Sequence, residues 1–373
     1  MTARLYRAHD VNEMYPLLKD ELMSLGVEAR PRGTVTREIH PVMVEIERPL
    51  YPLVSSYGRP VNVTFALAEL LWILLGLKEV KMLQFYNSNI AQFSDNGDDF
   101  NAAYGYRMRK GFGHDQIEDV IQLLTADPES RQGVISIFDP RYDRAFWGPY
   151  DKNLTKDRAC NIVANLLIRD GKLDWTQTIR SNDLIFGMPY NFMQWMNIQA
   201  YCAIRLGVGV GSFYDQINSL HVYTDNGYYD EGSLAAIKPF DIYTEFKECK
   251  LPYNHHPVIL TENHAVLEDL EYEIRTTGTW PQKKVANRWI PELWRDFFRM
   301  EYAHQWYLDH NDPKAAEHLA KVSDNVYAAA QMRFYWHKRW QRIDVSVQNQ
   351  VRGIISDRFG NCDAVFNWIT SGA

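Results

Sequence analysis

Two apolar runs, NIVANLLIR at 161–169 and KLDWTQTI at 172–179, are separated only by Asp170 and Gly171. An Asp-Gly pair between strand-like runs favours a tight hairpin turn, because both residues tolerate a positive φ. Any fold for this chain must accommodate that β-hairpin. A shorter apolar strand, GVISIF, is expected at 133–138. Residues 33–48 alternate in a strand-like way between Gly33 and Pro49, and further strands are expected over 238–252, ending near Pro257. Helical spacing predicts helices over 5–26, over 62–76 with Thr64 as N-cap, over 115–126 until Asp127 and Pro128 stop it, and over 190–206, 292–309 and 314–340.

Composition narrows the class. Among 373 residues there are 40 basic and 47 acidic side chains, a net charge of −7. That argues against an extended basic surface for nucleic acid, but leaves room for one small anion held by a few arginines. The four cysteines, Cys160, Cys202, Cys249 and Cys362, are too few for a disulfide framework, and none forms a CxxC pair. Residues 1–15 are mixed charged and polar, unlike a secretory signal, and the longest apolar run, 65–77, is interrupted by Glu69. A membrane span needs about 20 apolar residues. The expectation is a soluble protein of a reducing cytoplasm. No internal repeat or long linker is visible, but the character changes near residue 289. The division expected is a domain over 1–285 and a helical extension over 286–373. The aromatic stripe Trp294, Phe297, Phe298, Tyr302 and Trp306 reads as helix packing rather than a ligand box.

Several residues stand out chemically. Cys160 sits in the segment RACN at 158–161, just before an apolar strand. A free cysteine is most often a small buried hydrophobe. The following segments, RSND at 180–183 and GMPYN at 187–191, change that balance. Arg180, the Ser181 hydroxyl and loop amides are what a phosphate monoester needs. A neighbouring arginine also favours a thiolate over a thiol. Asp183 and Asn191 offer hydrogen-bonding groups for a heterocycle edge; a structural ion pair between Arg180 and Asp183 is the alternative. In SLHVY at 219–223, strand alternation puts His221 and Tyr223 on one face, suited to a sugar hydroxyl or to a satisfied structural histidine. Glu69 interrupts an apolar helix, where a carboxylate is costly unless paired or functional. Arg131 is either a second phosphate contact or a solvated turn residue. GVGVG at 207–211 follows a helix and lacks GxGxxG spacing, and the doublet His255, His256 has no ligand-spaced partners; neither a dinucleotide nor a metal site is expected.

The ordered set AELLW at 68–72, AYG at 103–105, DQI at 115–117, DPESR at 127–131, Cys160, RSND at 180–183, GMPYN at 187–191 and HVY at 221–223 resembles the thymidylate synthase superfamily over roughly residues 30–250. Asn161 after the cysteine, Gln132 after Arg131, IAQF at 90–93, Asn182 and the 219–223 segment look more like the phage deoxypyrimidine-nucleotide (dUMP/dCMP) hydroxymethylases. The resemblance implies an α/β fold, with a large twisted mixed sheet flanked by helices, packed back to back in a homodimer whose arginines cross between sites. It implies a transferase of one-carbon groups acting on dUMP, or dCMP, with 5,10-methylenetetrahydrofolate and no metal; neither membrane nor nucleic acid is required. By resemblance Cys160 is the nucleophile, Tyr104 helps remove the carbon-5 proton, Glu69 orders water, and Asn191 reads the base. Arg180, Ser181, Arg131, and Arg30 or Arg32 would hold the phosphate, His221 and Tyr223 the 3′-hydroxyl, and Asp183 and Phe93 the folate. An asparagine at 191 suits uracil, whereas relatives specific for dCMP carry an aspartate there. The reaction expected is hydroxymethylation of dUMP, with reductive methylation to dTMP and dCMP hydroxymethylation as rivals; a further rival is an inactive relative that binds nucleotide or RNA.

Overall fold

The computed structural model describes residues 4–143, 155, 157–225, 231–251, 264–285, 290–322 and 325–371, without the side chains of Arg32, Glu231 and Asn325. Its contacts divide the chain into two compact units. One holds residues 1–53 and 68–230; the other holds residues 54–67 and 231–373.

Among the described residues the first unit contains ten strands: β1 Arg4–Ala8, β2 Val27–Ala29, β3 Thr36–Ile39, β4 Val42–Ile46, β5 Val134–Ser136, β6 Asn161–Arg169, β7 Lys172–Ile179, β8 Asn182–Asp183, β9 Gly209–Ile217 and β10 Leu220–Tyr223. They form a six-stranded mixed sheet, ordered β1-β4-β9-β7-β6-β5, and a four-stranded sheet, β2-β3-β10-β8. The expected hairpin is β6 and β7, paired antiparallel from Asn161 opposite Ile179 to Arg169 opposite Lys172. Asp170 and Gly171 turn it with φ of 49° and 69°, the left-handed pair that such a loop requires.

The crossings between sheets matter most for function. β7 and β9 are parallel neighbours in the large sheet, and each runs on within a few residues into the small sheet, as β8 and β10, again parallel neighbours. Asn182 therefore stands opposite Leu220, and Asp183 opposite His221. The helix Met188–Leu206 covers the sheet with a face that includes Phe192, Trp195 and Ala203, all buried. Its Gln199 Nε2 lies 2.9 Å from Leu173 O and 3.1 Å from Ser212 O, beside the irregularity in the β7–β9 register. An amide there meets carbonyls that a bulge leaves outside the ladder.

The second unit is helical: Ile242–Glu248, Ala265–Thr277, Glu292–Leu308, Asp312–Leu319, Asn325–Lys338, Val345–Phe359 and Asp363–Thr370 are its longer helices. Trp294, Phe297 and Phe298 are fully buried, so this part of the aromatic stripe is core. Phe240 stacks on Trp368 at 5.0 Å, and Tyr307 on Tyr335 at 3.9 Å.

Five expectations change. Residues 4–8 are strand rather than helix, because they pair with β4 in parallel, and the helix starts at Val11 behind the Asp10 cap. The segment 33–48 is two strands in different sheets, parted at His40 and Pro41. Residues 242–248, within the strands expected over 238–252, are a helix capped by Asp241, whose carboxylate accepts from Tyr243 N; residues 252–257 lie outside the described part. Asn62, not Thr64, caps the helix Val63–Leu74, accepting from Phe65 N at 3.2 Å. The stretch 314–340 is two helices rather than one. The cysteines form no framework, but Cys249 and Cys362, 113 residues apart, are joined by a disulfide. His255 and His256 fall outside the described residues.

Candidate active site

Cys160 directly precedes β6, and Arg180 directly follows its partner β7, so the hairpin itself sets the two side by side. Arg180 N donates to Cys160 O at 2.9 Å. The Arg180 guanidinium donates back along the same segment, from Nε to Ala159 O at 2.8 Å and from Nη2 to Arg158 O at 3.2 Å. The loop that carries the thiol is thus clasped by an arginine whose outer edge stays exposed. Cys160 is half-buried and is not part of the disulfide.

Tyr104 stands beside Cys160 and within electrostatic reach of Glu69. Burial first, then the neighbouring Cys160 and more weakly Glu69, push the Tyr104 phenol well above its ordinary range; the Asn161 side chain and the Cys160 backbone hydrogen-bond it and pull the other way. The Tyr104 ring packs 5.9 Å from Trp195, which stacks on Trp175 at 6.2 Å. Gly105 explains how the tyrosine reaches this position. A β-carbon there would stand 2.2 Å from Ile73 O, so only glycine lets the short Tyr104–Tyr106 helix lie against the helix bearing Glu69.

Burial pushes the Glu69 carboxyl up from 4.5 to about 7, opposed only by a hydrogen bond from Gln194. Its Oε2 is buried without a hydrogen-bond partner among the described residues, as are Gln194 Oε1 and Trp195 Nε1. Orphaned polar atoms of this kind, clustered at a thiol, suit a polar heterocycle and ordered water. The sign of the stability effect follows. A carboxyl with a raised folded pKa binds its proton more tightly folded than unfolded, so stability falls as pH rises from the unfolded value through about 7. Glu69→Gln should raise the melting temperature at pH 8 and barely change it at pH 4. An equal change at both pH values would contradict a buried, titrating Glu69.

A side-chain chain runs through the crossing of the two sheets. Asn191, in the first turn of the helix Met188–Leu206, donates from Nδ2 to Asn182 Oδ1 at 3.0 Å. Asn182 donates from Nδ2 to Asp215 Oδ2 at 3.3 Å. Asn182 and Asp215 are buried, and Asn191 is half-buried. Burial pushes Asp215 up to about 7.

The other expected site residues divide. His221 and Tyr223 do share a face, with rings 5.3 Å apart edge to face, and His221 stands directly opposite Asp183. Asp183 Oδ1 accepts from Ile185 N and Phe186 N, each at 2.7 Å, which shapes the turn into the helix. It forms no ion pair with Arg180 at salt-bridge distance among the described residues. Ser181 is half-buried at the sheet crossing, and Arg131 is exposed on its turn. Arg30 is exposed and paired with Glu28 at 2.7 Å, the Arg32 side chain lies outside the described part, and Phe93 is 57% exposed. Arg131, Arg30 and Phe93 have no described hydrogen bond to Cys160. Sequence reasoning missed Gln194, one helical turn from Asn191, and Asp215. The signal for Asp215 was an acid at an inward position of FYDQI, between Phe213 and Ile217.

A family model described as thymidylate synthase matches residues 14–235, more than half of the 373. The chain belongs to the thymidylate synthase family. The mixed sheet with flanking helices is the α/β fold that the resemblance implied. Three phage proteins named deoxyuridylate hydroxymethyltransferase are similar to it. That of Bacillus phage SP01 is 40% identical over 225 residues, covering 57% of each chain. That of Pseudomonas phage M6 is 31% identical over 225 residues, covering 60% of this chain and 62% of the relative. That of Delftia phage PhiW-14 is 29% identical over 171 residues, covering 44% and 47%. The match thus spans about half to three fifths of the length of these curated relatives. Among the described residues no helix is long and apolar enough to cross a membrane.

Proposed function

We propose that the chain catalyses the hydroxymethylation of dUMP at carbon 5, with methylenetetrahydrofolate as co-substrate. The observation that carries this is Tyr104 beside Cys160 and within electrostatic reach of Glu69, with the Asn191 amide in the first turn of the helix that bears Gln194. The names of the phage relatives support the hydroxymethyl outcome over the methyl one.

Carbon 5 of uracil is a poor nucleophile. Cys160 adds its sulfur to carbon 6, and the electron pair moves to O4, which makes carbon 5 nucleophilic. When bound, the folate supplies a one-carbon unit at the oxidation level of formaldehyde. Tyr104, adjacent to the Cys160 backbone, serves the removal of the carbon-5 proton. Glu69, hydrogen-bonded to Gln194 and with its other oxygen unpartnered, holds a water and moves protons between water and the base. Carbon 5 takes up the one-carbon unit, tetrahydrofolate leaves to give an exocyclic methylene, water adds to the methylene, and loss of the sulfur from carbon 6 leaves 5-hydroxymethyl-dUMP. Asn191 offers one N–H to O4 and its carbonyl to N3–H. Arg180 and Ser181 would hold the phosphate, with Arg131 reaching across a homodimer from its exposed turn and Arg30 or Arg32 closing the site. His221 and Tyr223 would hold the 3′-hydroxyl, and Asp183 and Phe93 the pterin side. Residues 1–285 carry this chemistry in our reading, residues 286–373 are a helical extension, and the setting is the cytoplasm of a phage host.

Product mass tests the proposal. Hydroxymethylation adds about 30 mass units to dUMP and methylation about 14, by formula arithmetic on the transferred group. The larger increment is expected, without dihydrofolate formation. The smaller one, with stoichiometric dihydrofolate, would make the chain a thymidylate synthase. Failure to release tritium from either [5-³H]dUMP or [5-³H]dCMP would leave only a nucleotide-binding relative.

A further inference from the structure

We propose that Asp215 is a specificity-determining positioning residue: acting through Asn182, it fixes the Asn191 amide in the one orientation that accepts uracil and refuses cytosine. This rests on the reading of Asn191 as the base reader.

An asparagine by itself does not choose between the two bases. Uracil presents a carbonyl at position 4 and a donor at N3; cytosine presents an amino group at position 4 and an acceptor at N3. An amide turned by 180° has the same shape with donor and acceptor exchanged, so a free Asn191 would serve either base. Selectivity requires that the turn be blocked.

The Asp215–Asn182–Asn191 chain blocks it. Carboxylate oxygens only accept, so the Asn182 group facing Asp215 must be its Nδ2, at 3.3 Å. Asn182 then presents Oδ1 to Asn191, which must answer with Nδ2, at 3.0 Å. One Nδ2–H of Asn191 is used in this way, and the other N–H and the Oδ1 remain for the base. Turning Asn191 would set its oxygen against Asn182 Oδ1. Turning both amides would set Asn182 Oδ1 against the Asp215 carboxylate, where no donor exists. The surroundings hold the relay in place. Asn182 N donates to Ser219 O at 2.9 Å, and a β-carbon at Gly187 would stand 3.3 Å from Asn182 Oδ1, so Gly187 leaves room for the acceptor.

The placement of Asp215 points to this role rather than to stability. A buried carboxylate that strengthens a fold is paired with a cation and fully hydrogen-bonded. Asp215 is 3% exposed and makes no ion pair among the described residues; its Oδ1 has no hydrogen-bond partner there, and its single described bond leads to Asn182. Gln177, its register partner on β7, also has an unpartnered Nε2. The acid is tolerated at a cost, and the polarity it imposes ends at the base reader.

The test is the affinity of the full chain for dUMP and for dCMP by calorimetry at pH 8.5, above the value of about 7 to which burial raises Asp215, so that the carboxyl is ionised. Asp215→Leu removes the acceptor, and Asp215→Ala does so with a small side chain should the leucine variant not fold. The wild type should prefer dUMP, and the variant should lose about tenfold or more of that preference, partly by gaining affinity for dCMP. A loss of packing alone would weaken both nucleotides equally. An unchanged dUMP/dCMP ratio in a folded variant overturns the relay while the function stands. A wild type that binds neither nucleotide, or prefers dCMP, overturns the base-reader role and the relay with it.

Discussion

Replacing Cys160 with serine is expected to abolish turnover, by at least about a thousandfold, while dUMP still binds. The loss follows from the chemistry proposed for the site. A serine hydroxyl at neutral pH is a far weaker nucleophile than a cysteine sulfur, because its much higher pKa leaves almost no alkoxide. Tyr104 is held in its protonated form by burial, and the Glu69 carboxyl is bonded to Gln194. Binding should survive because the loop is positioned by main-chain and arginine contacts that do not involve the sulfur: Arg180 N to Cys160 O, and the Arg180 guanidinium to Ala159 O and Arg158 O. Tritium release from [5-³H]dUMP reads the chemical step, and calorimetry reads binding. Residual release within tenfold of wild type would end the covalent mechanism.

The second large effect is expected from Asn191→Asp. A carboxylate at 191 has no donor for uracil O4 and repels it, while it can accept from the amino group of cytosine. The dUMP/dCMP preference in kcat/KM should move toward dCMP by about a hundredfold, since a polar pocket left unpaired rejects its former ligand strongly. Turnover on either nucleotide should remain below that of the wild type on dUMP. The reason is the relay: an aspartate at 191 would face Asn182 Oδ1, acceptor against acceptor, and Asn182 cannot turn without meeting Asp215. An unaltered preference would remove Asn191 from the base-reading role.

The hairpin of β6 and β7 was readable residue by residue, because a two-residue Asp-Gly turn is a local device and its register follows from the turn itself. The helices Gln116–Ala126 and Met188–Leu206 were readable because an Asp115 cap, or a Gly187-Met188-Pro189 start, stands next to a long periodic run. Short elements were not. Residues 4–8 became a strand through pairing with β4, some 38 positions away, and no pattern in RLYRA reveals that partner. The helix Ile242–Glu248 is only 7 residues long, too short for its period to outweigh an aromatic content that suggests a strand. The break inside 314–340 carries neither glycine nor proline, only the weaker cap and turn residues Ser323, Asp324 and Asn325, inside an otherwise periodic run.

The same distinction holds for the site. Residue type and order along the chain were enough to identify the family and to single out Cys160, Glu69, Tyr104 and Asn191, because each block is a contiguous run whose residues carry the chemistry themselves. Distances between the blocks were beyond the sequence. That Glu69 pairs with Gln194 and that Gly105 lets Tyr104 approach the helix of Glu69 depend on which helices pack together; that Asp215 governs Asn191 through Asn182 depends on strands leaving one sheet for another. Hydrogen bonds act over about 3 Å, and chain spacing does not encode which distant strands will stand that close. The sequence determined which groups are present; the crossing of β7 with β8 and of β9 with β10 decided which of them meet.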